Sequence, residues 1–167
     1  APPAEELRIR LAMARVRGMA IDALGVRLPD LHHQVVERYA VFLAHDLTLE
    51  REVAIKVLPP DISMDEHIVK RFQQEAKTAA KLDHTNIIPI YRVESEGGLN
   101  YFVMKYVPGT SLEDVLDQKQ PLAIDYVQRV LWEAACALGH AHQRGVVHRD
   151  VKPANIMFDH DGRVMLT

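Results

Sequence analysis

The sequence predicts an α+β fold, in which a small antiparallel sheet carries one prominent helix and the beginning of a helical region follows. Short apolar runs with strand-like alternation occupy most of residues 40–107, and one helical pattern interrupts them. A second, longer helical pattern covers residues 122–143. The composition is that of an ordinary globular protein, with 48% hydrophobic residues, 26% charged residues and a net charge of −3. These values exclude a disordered chain and a strongly basic nucleic-acid binder.

Apolar runs and cysteine content exclude two further classes of protein. The longest apolar run, near residues 130–138, is interrupted by Glu133 and is far shorter than the roughly 20 residues of a membrane span. The single cysteine, Cys136, excludes an internal disulfide framework and fits a reducing compartment. We therefore expect a cytoplasmic location for this segment, with no membrane or nucleic-acid contact. A dimer stays open.

The first 34 residues predict a helical N-terminal extension. Leu7, Leu11 and Ala14 follow helical spacing, and several arginines surround them. Such a helix could dock on its own domain with its arginines in solvent, or it could contact a membrane surface or a partner. Nearby acidic residues dilute the positive charge, which favours the first interpretation.

Residues 40–44 and 52–58 predict two strands joined by a polar turn. In the second strand Val53, Ile55 and Val57 share one face, and Lys56 lies on the other. Lys56 is a cation in an otherwise apolar strand. It either extends to water as an edge lysine or pairs with an anion.

Residues 63–66 predict a capping box that begins the first helix. Glu75 shares one face of this helix with Phe72 and Ala79. Since an unpaired carboxylate on a buried face is costly, we expect an ion pair between Glu75 and Lys56. The alternative is that Glu75 lies at the edge of the buried face, reaches solvent and pairs locally.

The remaining elements follow from periodicity and turn residues. Residues 87–93 and 99–107 predict a hairpin around 96–98, and a short helix over 111–117 is capped by Ser111. The long helix ends at Gly145, and a hairpin over 156–167 turns at 159–162. The long helix is expected to direct these residues inward: Ile124, Val127, Val130, Leu131, Ala134, Leu138 and Ala141.

The loop over residues 148–155 carries the most informative chemistry. Asp150, Lys152 and Asn155 combine an acid, a cation and an amide within six residues. Such a cluster suits phosphoryl transfer, in which a hydroxyl is oriented, a moving phosphoryl group is neutralised and a metal is held. The alternative is a charged turn held by Asp150–Lys152 pairing.

Two weaker candidate sites are rejected. His140, His142 and His148 are close in sequence, but no cysteine or acidic ligand accompanies them at a zinc-binding spacing. Residues 159–162 resemble the start of a calcium loop but lack the later ligands, so they predict a strand turn.

Four segments in order resemble a eukaryotic-type protein kinase, most closely the bacterial Ser/Thr kinases of that type. They are the strand 53–56, the helix with Glu75, the linker 104–109 and the loop 148–155. The resemblance implies a two-lobe fold, with the N-lobe over residues 35–107, the beginning of the C-lobe over 108–167, and the ATP cleft between them. It also implies an ATP- and magnesium-dependent enzyme that phosphorylates Ser and Thr hydroxyls of protein substrates.

The resemblance implies a role for each matching residue. Lys56 would hold the α- and β-phosphates of ATP, with Glu75 orienting it. Asp150 would position the substrate hydroxyl and accept its proton, Lys152 would stabilise the γ-phosphate, and Asn155 would bind magnesium. His148 and Arg149 would support them. The adenine would contact these positions: Val41, Ala54, Met104, Lys105, Tyr106, Val107 and Met157.

The sequence departs from the family pattern at two places. The Gly-rich phosphate loop is missing at Tyr39/Ala40, and the chain ends at Thr167, where an Asp-Phe-Gly segment follows in the family. We therefore expect a fragment, or ordered segments joined from a longer chain; the kinases it resembles often carry a membrane anchor beyond the catalytic domain. The rival hypothesis is an inactive pseudokinase or truncated scaffold. A small-molecule phosphotransferase is disfavoured by Lys152-Pro153.

Overall fold

The computed structural model describes residues 19–21, 40–46, 49–58, 62–96 and 99–167. The chain divides into two compact units. Unit 1 consists of Ala1–Lys77 and Ile90–Tyr106, and unit 2 of Thr78–Pro89 and Val107–Thr167. The expected division after residue 107 stays a prediction; residues 78–89, expected in the first lobe, belong to unit 2.

Unit 1 contains a five-stranded antiparallel sheet in the order β1-β2-β3-β5-β4. Its strands are β1 (Met19–Ile21), β2 (Ala40–Asp46), β3 (Arg51–Leu58), β4 (Ile90–Glu96) and β5 (Leu99–Lys105). β4 begins three residues later than expected, because Pro89 has no N–H to donate to the sheet and Ile88 instead donates to Leu166 in unit 2.

The expected helical extension is wrong for residues 19–21. Met19–Ile21 form a strand that pairs with residues 44–46 of β2. This pairing satisfies backbone groups along an edge that β2 would otherwise present unpaired. The helical pattern at Leu7, Leu11 and Ala14, and Tyr39 of the Tyr39/Ala40 junction, lie outside the described residues.

The period-2 pattern of β3 correctly predicts the core of unit 1. Val53, Ile55 and Val57 are fully buried and form one apolar cluster with Leu99, Tyr101 and Val103 of β5. The opposite face of the sheet packs on helix α1 (Glu66–Ala79), where the ring centroids of Phe72 and Phe102 are 5.3 Å apart.

Helix α1 begins differently from the expected capping box. Asp65, one residue before the helix, accepts backbone hydrogen bonds from His67 (2.9 Å) and Ile68 (3.4 Å). Ser63 lies in a 3₁₀ turn over Ile62–Met64 and donates its hydroxyl to the carbonyl of Leu58. The cap is therefore the aspartate, because Ser63 is engaged with the end of β3.

Unit 2 contains helices α2 (Leu112–Asp117) and α3 (Ile124–Gln143) and the hairpin of β6 (Ile156–Phe158) and β7 (Val164–Leu166). Ser111 caps α2 with Asp114 in a capping box, as the sequence predicted. Gly145 ends α3 with φ +73°, while the N–H groups of Gly145 and Val146 bond to the carbonyls of His142 and Ala141. This is a Schellman termination, which favours glycine.

Helix α3 buries a narrower face than expected. Small side chains lie on it, so the helix approaches the β6–β7 hairpin closely: Val130, Ala134, Ala137 and Ala141 are its buried residues. Ile124 and Leu131 were expected inward, but they are 76% and 63% exposed, and Val127 is also exposed. Trp132 is 72% exposed as well. No helix within the described ranges is long and apolar enough to cross a membrane.

Gly109 generates a prediction about stability. A Cβ atom at this position would lie 1.7 Å from the carbonyl oxygen of Phe158, where β6 passes close to the segment after β5. Gly109→Ala should therefore destabilise unit 2 by about 1–3 kcal/mol or more. Chemical denaturation of the purified chain would measure this change in the free energy of unfolding.

Gly139→Ala is the matched control, because a Cβ there meets no atom within 4 Å and the residue is helical. It should stabilise the chain by about 0.5–1 kcal/mol. Equal effects of the two substitutions would contradict the proposed steric cause.

The environment of His140 predicts how the stability of the chain depends on pH. The rings of His84 and His140 are 4.9 Å apart, and Arg144 Nη1 lies 3.2 Å from His140 Nδ1. Burial, followed by the charges of Arg144 and His84, lowers the pKa of His140, and Asp83 opposes this only in part. The folded state therefore binds a proton at His140 less readily than the unfolded state does.

It follows that the free energy of unfolding should fall as the pH drops below about 6.5. His140→Phe should flatten this dependence between pH 7 and 5, whereas His142→Phe, at an exposed position on the same helix, should leave it unchanged. Denaturation curves at several pH values would measure both. An unaltered slope in His140→Phe would show that His140 is not the responsible group.

Candidate active site

The loop between α3 and β6 presents the polar cluster. The Schellman termination fixes where the loop leaves α3, and a 3₁₀ turn over Pro153–Asn155 leads into β6. Arg149 has φ +66°, a left-handed conformation that is uncommon for a residue other than glycine. The chain is thus sharply redirected one residue before Asp150.

The structure brings Asp150, Lys152 and Asn155 together. Asn155 Nδ2 donates to the Asp150 carboxylate (2.8 Å) and to the Asp150 carbonyl (2.7 Å). Lys152 Nζ lies 3.2 Å from the same carboxylate oxygen, Oδ2. The cluster predicted from sequence is therefore a hydrogen-bonded unit with an exposed carboxylate.

The partners of Asp150 keep it ionised. Partial burial acts to raise the pKa of Asp150, but the hydrogen bonds from Asn155 and Lys152 outweigh it and hold the pKa below its ordinary value. At neutral pH the carboxylate is therefore a hydrogen-bond acceptor that can orient a hydroxyl group.

His148 ties the loop to the end of β7. Its Nε2 lies 2.7 Å from the Thr167 carbonyl, and its Nδ1 accepts the backbone N–H of Asp150 at 3.3 Å. The carbonyl partner requires a proton on Nε2, and the N–H partner requires a free lone pair on Nδ1. His148 thus links the Thr167 carbonyl to the backbone of Asp150, where sequence reasoning assigned it only a supporting role.

Thr167 is a contact residue that sequence reasoning missed. Its N–H donates to the Asn155 carbonyl (3.0 Å), and its hydroxyl approaches the same carbonyl at 3.4 Å. Together with the His148 contact, these bonds join the end of β7 to both ends of the loop. The Thr167 hydroxyl also approaches the amide oxygen of Asn155 at 3.5 Å. The sequence carried no signal for these contacts, because Asn155 and His148 are 12 and 19 residues away along the chain.

Four of the expected nucleotide-binding residues share one face of the sheet in unit 1. Val41 pairs with Lys56, and Ala54 pairs with Met104, in the antiparallel register. Residues directly opposite each other, and residues two apart on a strand, lie on the same face. Lys56 Nζ lies 6.0 Å from the centroid of the Phe102 ring on that face.

The expectation that Glu75 lies on the buried face of α1 is wrong. Its side chain is 48% exposed, and Arg71, one turn earlier, approaches it at 3.1 Å. Phe72 and Ala76 are the buried residues of α1. This matches the alternative of a carboxylate at the edge of the buried face with a local partner. The Lys56–Glu75 ion pair stays a prediction.

The other expected contact residues lie at the ends of strands or on β6. Lys105 is the last residue of β5 and pairs with Val53, and the half-buried Tyr106 follows it. Val107 is buried within unit 2. Met157 is the central residue of β6 and forms a bridge with Ser111.

The turn over residues 159–162 is a strand turn, as predicted. Ligand atoms of Asp159, His160 and Asp161 lie within 4.8 Å of one another. However, the Asp159 carboxylate accepts the backbone N–H groups of Asp161 (3.0 Å) and Arg163 (2.9 Å), so it stabilises the turn itself.

Comparison with known proteins agrees with this geometry. The family model described as "Protein kinase domain" matches residues 39–167. The chain belongs to the protein kinase family. It is 42% identical over 127 residues to Serine/threonine-protein kinase PrkC of Bacillus subtilis, covering 76% of this chain and 20% of that protein. It is 45% identical over 121 residues to Serine/threonine-protein kinase PknB of Mycobacterium tuberculosis H37Rv, covering 70% and 19%.

Solved kinase structures share the fold. A crystal structure of the M. tuberculosis PknI kinase domain matches with a TM-score of 0.68 and 32% identity, over 77% of this chain and 52% of that one. A second matches with a TM-score of 0.69 and 28% identity, over 90% and 58%. The predicted fold class and the resemblance to bacterial Ser/Thr kinases are confirmed. The chain spans about a fifth of the length of these curated relatives.

Proposed function

We propose that the protein containing this chain transfers the γ-phosphoryl group of ATP to Ser or Thr hydroxyls of protein substrates. The observation that carries the proposal is the hydrogen-bonded cluster of Asp150, Lys152 and Asn155 in a member of the protein kinase family. Phosphoryl transfer needs little covalent chemistry from the protein, so positioning and charge stabilisation supply most of the catalysis. This cluster offers both.

Each residue of the cluster has a distinct role in the proposed reaction. The ionised Asp150 carboxylate accepts a hydrogen bond from the substrate hydroxyl and takes its proton as the oxygen bonds to phosphorus. Lys152 is a cation 3.2 Å from that carboxylate, and it stabilises negative charge on the transferring phosphoryl group. The relatives named as Ser/Thr kinases support hydroxyl side chains as acceptors.

The cluster also fits a magnesium ion. Both hydrogen bonds of Asn155 Nδ2 are made to Asp150. Its amide oxygen accepts a long hydrogen bond (3.5 Å) from the Thr167 hydroxyl and has a second lone pair for a metal, and such an oxygen is a hard ligand of the type magnesium prefers. When bound, the ion would neutralise charge on the phosphates of ATP. The ionised Asp150 beside it favours a cation.

Unit 1 supplies the proposed nucleotide-binding residues. Lys56 binds the phosphates of ATP, and Glu75 orients it. The adenine contacts the apolar side chains of Val41, Ala54 and Met104, whose shared face of the sheet supports this assignment. Backbone groups of Lys105 and Tyr106, at the end of β5, bond its edge.

Asp150→Asn tests the proposal in the complete protein. The amide cannot accept the proton, so phosphoryl transfer should fall by about 10²–10⁴-fold. Transfer from labelled ATP to a generic protein substrate, followed by identification of phosphoserine and phosphothreonine, measures it.

Asp161→Asn is the matched control, because it removes an exposed carboxylate of the β6–β7 turn outside the cluster. It should leave transfer unchanged. No transfer by the complete wild-type protein, or full activity of Asp150→Asn, would favour the rival scaffold hypothesis.

A further inference from the structure

We propose that Asn86 and Glu133 are positioning residues for the catalytic loop, and that they act through strand β7. The proposal rests on the proposed kinase function for its kinetic consequence. Its structural basis is a continuous set of hydrogen bonds inside unit 2, which runs from residues 86–88 and α3 through β7 to Asp150.

The first part of this set fixes the start of β7. Glu133 Oε2 accepts the N–H of Val164 at 2.9 Å, and Asn86 Nδ2 donates to the carbonyl of Val164 at 2.8 Å. Asn86 Nδ2 also donates to Glu133 Oε2 at 3.1 Å. Two side chains thus satisfy both backbone groups of Val164, as a neighbouring strand would otherwise do.

The second part fixes the end of β7. Leu166 donates its N–H to the carbonyl of Asn86 at 2.8 Å, and Ile88 donates its N–H to the carbonyl of Leu166 at 2.9 Å. Residues 86–88 therefore pair with β7 along the edge that β6 does not occupy. Both edges of this three-residue strand are held.

The third part passes from β7 to the loop. Thr167 follows β7 directly, and its carbonyl accepts from His148, which in turn accepts the N–H of Asp150. Its N–H donates to the carbonyl of Asn155. A displacement of β7 would therefore shift Asp150 and Asn155 relative to each other, and a misplacement of about 1 Å can reduce a reaction rate about 10²-fold.

The two carboxylate oxygens of Glu133 have separate partners. Oε2 accepts from Asn86 and Val164, whereas Oε1 accepts from Arg129 at 3.1 Å. The Glu133 side chain is only 21% exposed, and Val164 is fully buried. Without an acceptor, the buried N–H of Val164 loses its partner, which is costly. The Asn86 and Val164 contacts therefore require an acceptor oxygen at residue 133 and do not require its negative charge.

Three substitutions in the complete protein separate these roles. Glu133→Met removes both acceptor oxygens at similar side-chain size, and Glu133→Gln keeps one oxygen for Asn86 and Val164. Arg129→Met removes the cation at Oε1, together with the hydrogen bond from Arg129 to the Gly162 carbonyl, and leaves both oxygens of Glu133 in place. We expect kcat per folded molecule to fall about 10–100-fold in Glu133→Met, with KM for ATP within about threefold of wild type. Glu133→Gln and Arg129→Met should retain kcat within about threefold.

A second measurement does not depend on catalysis. Amide hydrogen exchange at Val164, Leu166 and Asp150 should accelerate in Glu133→Met and stay near wild type in Glu133→Gln. Asn86→Ala, which removes the donor to Glu133 and Val164, should accelerate exchange at the same amides. If Glu133→Met does not fold, the exchange rates of the Asn86→Ala variant test the proposal in its place.

The outcomes are distinguishable. A folded Glu133→Met protein with wild-type kcat would overturn the proposal, as would an equal loss of kcat in Glu133→Gln. If the complete wild-type protein transfers no phosphate, the proposed function fails. Hydrogen exchange alone then tests whether Asn86 and Glu133 are coupled to Asp150 through β7. Unchanged exchange at Asp150 in Glu133→Met, or in Asn86→Ala if Glu133→Met is unfolded, would then refute it.

Discussion

The interior of unit 2 is organised around the Glu133 carboxylate, which requires hydrogen-bond donors. Glu133 lies on α3 three residues after the buried Val130 and four before the buried Ala137, so it shares their face of the helix and its charge lies towards the protein interior. Three N–H donors from different parts of the chain meet it: Arg129, Asn86 and Val164. Because a desolvated carboxylate without such donors is strongly destabilising, the helix, the 86–88 segment and β7 have to assemble together.

Close packing around the hairpin imposes a complementary constraint. α3 meets β6 and β7 through valine and alanine side chains, and Gly109 passes so near Phe158 that no side chain fits. Small residues at both contacts leave the hairpin little freedom to move. The polar loop therefore begins and ends on elements whose positions are fixed by sterics, which is the usual way a folded scaffold holds reactive groups on a loop.

Local sequence signals predicted the helices, strands and helix ends better than they predicted which helix faces are buried or which distant residues make contact. The alternation of Val53, Ile55 and Val57, the Ser111 cap and the Gly145 terminator each depend on residues a few positions apart, and all three are confirmed. The buried face of α3 was harder to predict, because Ile124 and Leu131 extend the apolar pattern around most of the helix. The Asn86 bonds to Glu133 and Val164 span 47 and 78 residues, distances at which a single sequence carries no pairing signal. Asp150, Lys152 and Asn155 were found because they are sequence neighbours.

The exposed indole of Trp132 is an intrinsic fluorescent reporter for this chain. It is the single tryptophan of the chain, and it adjoins Glu133 on α3. Its fluorescence therefore originates from one known place, free of the overlapping emission that complicates most proteins. Any polypeptide that covers this side of α3 would move the indole from water into an apolar environment and shift its emission to shorter wavelengths. The binding to this chain of a partner that lacks tryptophan can thus be followed without a label.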